Sequence, residues 1–204
     1  MKTLFILFSI LLIPHKTNAF VTELSGDIGY QKQVYGTNRE NSVVTVTGNG
    51  SVAFYIWNNT ALEINYSQSQ RDDDSNTNYT IGLTKITKRI DHTDSKVYGL
   101  GLRQAFAGKN ATIRPTLSLG YARQFDSSYI KFNYTDLNSS IDYKDIRLDN
   151  ASNEVNSVFA TLALNIKLTQ YLSLRSAVNT VFEAFKFNKA KDYLKYSAGF
   201  TWFF

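Results

Sequence analysis

Two groups of residues in this chain have types and spacings that could do chemistry. The first is the stretch IDHTDS, where His92 stands beside Asp94 and Ser95. A histidine near a hydroxyl and a carboxylate supplies the parts of a nucleophile and its base. Nothing in the spacing fixes a triad, so the expectation is a solvated loop histidine and no catalytic residue. The second group is scattered: Glu23, Asp27, Glu63, Arg103, Arg114, Lys167 and Arg175. Seven ionic side chains acquire a meaning only from the elements that carry them. Other candidates fall away on spacing. Asp72-Asp73-Asp74-Ser75-Asn76 suggests calcium, but a calcium loop begun at Asp72 needs glycine and glutamate where Thr77 and Leu83 stand. It is expected to be an acidic loop tip without a metal. Cysteine is absent, which excludes disulfides, thiolate ligands and a thiol nucleophile. No glycine-rich phosphate loop leads from a strand into a helix, so no nucleotide or other cofactor is implied.

The chain opens MKTLFILFSILLIPHKTNAF. Lys2 precedes an apolar run from Leu4 to Ile13, too short to span a bilayer as a helix. Thr17-Asn18-Ala19 suits a cleavage site. Residues 1–19 therefore read as a secretory signal peptide, leaving residues 20–204 as one domain. Cleavage takes Lys2 and Lys16 from the 22 bases, and the mature chain is only mildly basic against 17 acids. That balance gives no reason to expect nucleic acid as a partner. The rest lacks an apolar run long enough for a membrane helix, so an exported chain of this kind is either a soluble protein or a closed barrel.

The hydrophobic period separates these. Leu194, Tyr196, Ala198, Phe200, Trp202 and Phe204 alternate with Lys195, Ser197, Gly199, Thr201 and Phe203. This is the period of a strand with one apolar face. Leu172 to Phe182, Val158 to Leu168, Ile113 to Arg123 and Tyr98 to Phe106 repeat it, as do Leu62 to Tyr66 and Leu24 to Tyr30. In the strand around residues 42 to 57 the period does not separate the faces, because Ala53, Tyr55 and Trp57 are apolar as well as Val52, Phe54 and Ile56, which are assigned outward. Short connections fall near residues 59, 109 and 170. Longer polar ones fall at 36–41, 69–94, 126–156 and 183–193. Short and long alternate, as in barrels with short inner turns and long outer loops. An exported β-sandwich would bury its apolar faces on each other, and strands of this length disfavour it.

These observations predict an all-β protein: an eight-stranded antiparallel transmembrane β-barrel. Residues 79–90 (YTIGLTKITKRI) also look strand-like and are read as a barrel strand extending into a tall outer hairpin, with ten strands as the alternative. On this parity Glu23, Asp27, Glu63, Arg103, Arg114, Lys167 and Arg175 all point inward near the short-turn end. An eight-stranded lumen is just wide enough for side chains to fill it, and buried charges there must pair. The seven are expected to form a charge network that closes the barrel.

A signal peptide, alternating strands and a last strand ending in aromatics resemble the small Gram-negative outer-membrane β-barrels, in particular the OmpA transmembrane domain and the OmpX/Ail-like barrels of the porin superfamily. The resemblance implies that Tyr196, Phe200, Trp202 and Phe204 form the signal read by the barrel-assembly machinery. It also implies an integral outer-membrane location, a monomeric state and contact with outer-membrane lipid. Lys186, Lys189 and Lys191, in the last outer loop, are candidates for lipopolysaccharide phosphates. The function expected is structural or adhesion-like surface interaction, with outer loops meeting an extracellular ligand or host surface. The alternative is a small pore for small solutes or anions. A lipid-modifying barrel enzyme ranks below both, because no base and nucleophile cluster at the interface; the protein is expected not to be an enzyme.

Overall fold

The computed structural model describes residues 21–36, 40–150, 152–184 and 193–204. The leader at 1–19 and Lys186, Lys189 and Lys191 lie outside these residues. In chain order the strands are β1 (Thr22–Tyr35), β2 (Asn41–Tyr55), β3 (Thr60–Ile81), β4 (Thr84–Ala105), β5 (Ile113–Asp136), β6 (Ile141–Asp149), β7 (Asn153–Lys167), β8 (Leu172–Glu183) and β9 (Lys195–Phe203). Every pairing is antiparallel. β9 pairs back to β1, with Glu23 opposite Phe203, and β4 pairs with β5, so the sheet closes into a ring of 8 strands. The ninth strand, β6, pairs with β5 outside that ring. Ten strands is thereby ruled out for the ring.

The period of two becomes an inside and an outside. Leu100, Leu102, Leu119 and Leu162 point outward and are 51% to 56% exposed. In water such a band would be unstable; in a bilayer it faces hydrocarbon. Aromatics close the band at both ends. Trp57, Phe106, Tyr171 and Phe204 lie at the short turns, while Tyr30, Tyr66, Tyr98, Tyr121 and Tyr196 lie higher. From Phe106 to Tyr98 a strand rises about 26 Å, or about 20 Å along the normal at a tilt of ~40°. Trp57 and Ile56 turn back through backbone bonds to Thr60, and Leu168 does so to Leu172.

The tall outer hairpin expected at residues 79–90 is present, but the strands continue through the rest of the connections expected as polar loops at 69–94 and 126–156. β3 and β4 have 22 residues each and β5 has 24, although about 9–11 suffice to cross. Their pairing runs unbroken from the barrel past Asp72↔His92 to Asn76↔Lys88 and resumes after a bulge as far as Ile81↔Thr84. β6 extends the same ladder, from Tyr129↔Asp149 to Asp136↔Ile141. The result is an outer sheet of β3, β4, β5 and β6 standing beyond the aromatic band. Stretches such as YIKFNY and IDYKDIRL have strand-forming residues but polar groups on both faces. They lack the one-sided apolar signal of a strand, which is why polarity alone suggests loops. The sheet turns at Gly82 (φ 57°) and Ser140 (φ 56°).

The lumen is layered. At the short-turn end Ala53, Tyr55, Ala61 and Ala105 cluster, with Val21 against them. Above them lies the ionic layer. Next come Phe159, Val97 and Ala122, and beyond these the lumen opens into a polar cup. A Cβ on Gly99 would stand 2.8 Å from the Phe159 ring. The bare backbone there is what lets the large ring lie inside so narrow a barrel.

Candidate functional site

Arg103 is the hub of the ionic layer. Its Nε donates to Glu63 Oε2 at 2.9 Å and to Ser118 Oγ at 3.2 Å. Nη2 donates to Glu63 Oε1 at 2.8 Å and to Ser51 Oγ at 2.7 Å. Nη1 reaches the Glu23 carboxylate and lies 3.3 Å from Ser25 Oγ. The planar fork thus meets one carboxylate with two parallel bonds and a second carboxylate sideways. Its side chain is 0% exposed, as is that of Glu23. Arg114 Nη1 donates to Glu23 Oε2 at 2.8 Å, and its Nε donates to the Ala107 carbonyl at 3.1 Å. A second, higher pair joins Arg175 Nε to Asp27 Oδ2 at 3.1 Å, and Asn49 supplies the other Asp27 oxygen at 2.6 Å.

Six of the seven inward ionic residues are therefore brought together. Lys167 is not. It sits half-buried on the last rung of β7 and makes no ion pair among the described residues. Glu23, Asp27 and Glu63 already balance Arg103, Arg114 and Arg175, so a fourth cation would be left without a counter-charge. At the mouth of the barrel Lys167 can keep its ammonium in water.

Several partners escaped the sequence reading. Tyr55 donates to Glu23 Oε2 at 2.6 Å. It also stacks on Arg114, whose guanidinium carbon is 4.9 Å from the Tyr55 ring centre and 5.1 Å from that of Phe203. Ser25 and Ser51 bond each other at 2.8 Å while serving Arg103. The available signal was parity: Tyr55 and Ser51 share a face with Ala53, opposite Glu23 and Ser25 in the β1–β2 register.

His92 is corrected from loop to strand. It lies in β4 with its side chain 15% exposed. Its Nδ1 meets the Asp72 carboxylate and its Nε2 lies 3.0 Å from Asp94 Oδ2. Burial alone would lower its pKa, but the bonds and charges of Asp72 and Asp94 outweigh it and hold the ring above the usual imidazole range. The ring stacks on Tyr129, 4.5 Å between centres, and Arg147 lies 4.0 Å from the centre of the same tyrosine. Ser95 is on the other face and donates to Asp126, so histidine and serine do not meet. The acidic run is likewise not a loop tip. Asp72, Asp73 and Asp74 lie in β3 and engage His92, Tyr35 and Lys88. Among the described residues no group of acids and histidines is arranged to hold a metal ion.

No family model and no curated protein sequence matches the chain. Among solved structures, the N-terminal β-barrel domain of Pseudomonas aeruginosa OprF superposes on 90% of this chain and 97% of its own, with a TM-score of 0.50 and 13% identity. This chain has the fold of the small outer-membrane β-barrels. Pseudomonas aeruginosa OprG is also similar (13% identity, 91% and 96% covered, TM-score 0.48), as is the attachment invasion locus protein Ail of Yersinia pestis (10% identity, 92% and 100% covered, TM-score 0.46). At such identities the likeness is one of fold. The barrel's last strand carries Tyr196, Phe200 and Trp202 outward, with Phe200 and Trp202 rings 6.2 Å apart. Phe204 is 70% exposed, and its backbone closes the seam by bonding to Thr22 at 2.9 Å.

Proposed function

We propose that this protein is an integral outer-membrane barrel of a Gram-negative envelope, with a closed lumen and a structural or surface-interaction role. The observation that carries this is the buried, charge-balanced layer around Arg103. Its side chain and that of Glu23 are 0% exposed and that of Glu63 is 1% exposed. An ion crossing here would have to break two carboxylate pairs in a medium of low dielectric. The outer sheet supports surface contact. β6 ends the sheet, one of its edges is unpaired among the described residues, and Ile146 and Leu148 are exposed along it. An unpaired edge with apolar side chains suits an extended segment of an extracellular partner. Export through residues 1–19, assembly through the terminal aromatics and a monomeric state belong to the same proposal. So does lipopolysaccharide contact through Lys186, Lys189 and Lys191, to which Lys131 adds charge above the aromatic band; the outward Arg123 is taken by Glu154.

The test is conductance of the refolded mature protein in a planar lipid bilayer. Folding is verified by faster gel migration before boiling than after. Silence from folded protein is the expected result. Reproducible unit steps would overturn the closed lumen and favour the pore.

A further inference from the structure

The upper lumen is a cup of about 530 Å3, within the ~300–1,000 Å3 of small-molecule sites. Its wall is rich in hydroxyls and amides, including Asn65, Ser67, Ser69, Thr161 and Asn179. Groups of this kind both donate and accept, and they complement a polyhydroxylated molecule.

The charges in the cup are unequally satisfied. Asp126 accepts from Gln124 at 2.9 Å and from Ser95. Asp73 accepts from Tyr35 at 2.6 Å. Asp91 takes two bonds from Arg89, at 2.9 and 2.8 Å. Lys195 is the exception. Its Nζ donates to Ser69 Oγ at 3.1 Å and joins no ion pair among the described residues. Asp126 attracts it and Arg71 repels it, both from beyond ion-pair distance. An ammonium has three donors, so two remain for the cup. A partly buried cation without a counter-charge favours an anion beside it. The cup also limits that anion. Arg71 pairs with Asp73 at 3.5 Å and Arg89 with Asp91 at 2.8 Å, so Lys195 is the one cation of the lining outside an ion pair among the described residues, and with Asp126 near it a single ammonium suits one negative charge rather than two.

We infer that the cup is a binding site for a small, hydroxylated monocarboxylate of the sugar-acid class, its carboxylate on Lys195 and its hydroxyls on the amide and hydroxyl wall. The surface role of the outer sheet does not require such a site.

Titration calorimetry of the refolded mature barrel in detergent tests it, with D-glucuronate, D-glucose and glucose 6-phosphate as probes. Glucuronate is expected to bind about tenfold or more tightly than either of the others. Lys195→Met should weaken it by about ten- to a hundredfold, the loss of one charge-assisted bond, and Lys195→Arg should retain it. Absence of glucuronate binding, equal binding of glucose, or tighter binding of the phosphate would each overturn the site. So would unchanged affinity in folded Lys195→Met. If that variant does not fold, the three probes on the wild-type barrel decide the matter.

Discussion

Replacing Arg103 with methionine keeps much of its bulk and removes the charge. Two carboxylates then lose their common partner. Glu23 keeps Arg114 and Tyr55. Glu63 is the stranded one, since both of its oxygens bond Arg103, at 2.9 and 2.8 Å. Leaving one member of a buried pair uncompensated costs about 3–5 kcal/mol. The layer would hold three acids against two bases, with Glu63 1% exposed. A second substitution, Glu63→Leu, removes the stranded charge and restores neutrality. Urea unfolding of the barrel in lipid vesicles reads both, by tryptophan fluorescence and by gel mobility without boiling. Arg103→Met should lower stability by about 3–5 kcal/mol, and the double variant should recover at least half of that. A loss below about 1 kcal/mol, the level of an exposed pair, would refute the buried layer. A double variant no better than the single would refute the assignment of Glu63 as the stranded partner.

Three further outcomes are expected. The His92 pKa is raised in the fold, so its contribution to the outer sheet is complete below about pH 6.5 and lost as pH rises through the raised value. Amide protection in β3 to β6 should fall over that window, and His92→Gln should flatten the profile. Deletion of Phe204 should lower the amount of heat-shifted, folded protein in the outer-membrane fraction, and an unchanged amount would reject an assembly role. Gly99→Ala should cost about 1–3 kcal/mol through overpacking against Phe159, 2.8 Å from the new methyl position. Phe159→Leu in the same chain should restore most of it in the urea assay.

The sequence by itself determined which way most side chains face. A strand alternates strictly, so Leu100 and Arg103 must lie on opposite sides whatever the strand packs against. That rule put the ionic residues inside and Tyr196, Phe200 and Trp202 of β9 outside. It was weakest in β2, where Val52, Phe54 and Ile56 alternate with Ala53, Tyr55 and Trp57, and so Tyr55 was missed as a partner of Glu23. In the outer sheet it marked residues 79–90 as strand-like and was silent in the upper part of β5 and in β6. Tyr129 and Lys131 of β5 lie opposite Asp149 and Arg147 of β6, a polar pairing that reads as loop until the ladder is seen.

Only the tertiary structure decided who meets whom. Arg103 and Glu23 stand 80 residues apart in the chain, and their meeting depends on the register of each intervening pair and on closure between β1 and β9. Asp72 and His92 became partners because the β3–β4 ladder continues without slip past the rim. Lys167 has the same parity as Arg175 yet stays out of the layer, because the layer is already neutral and the mouth offers water. Direction is a local property of the backbone and is written in the period. Partnership depends on register, height in the barrel and the balance of buried charge, none of which a single strand contains.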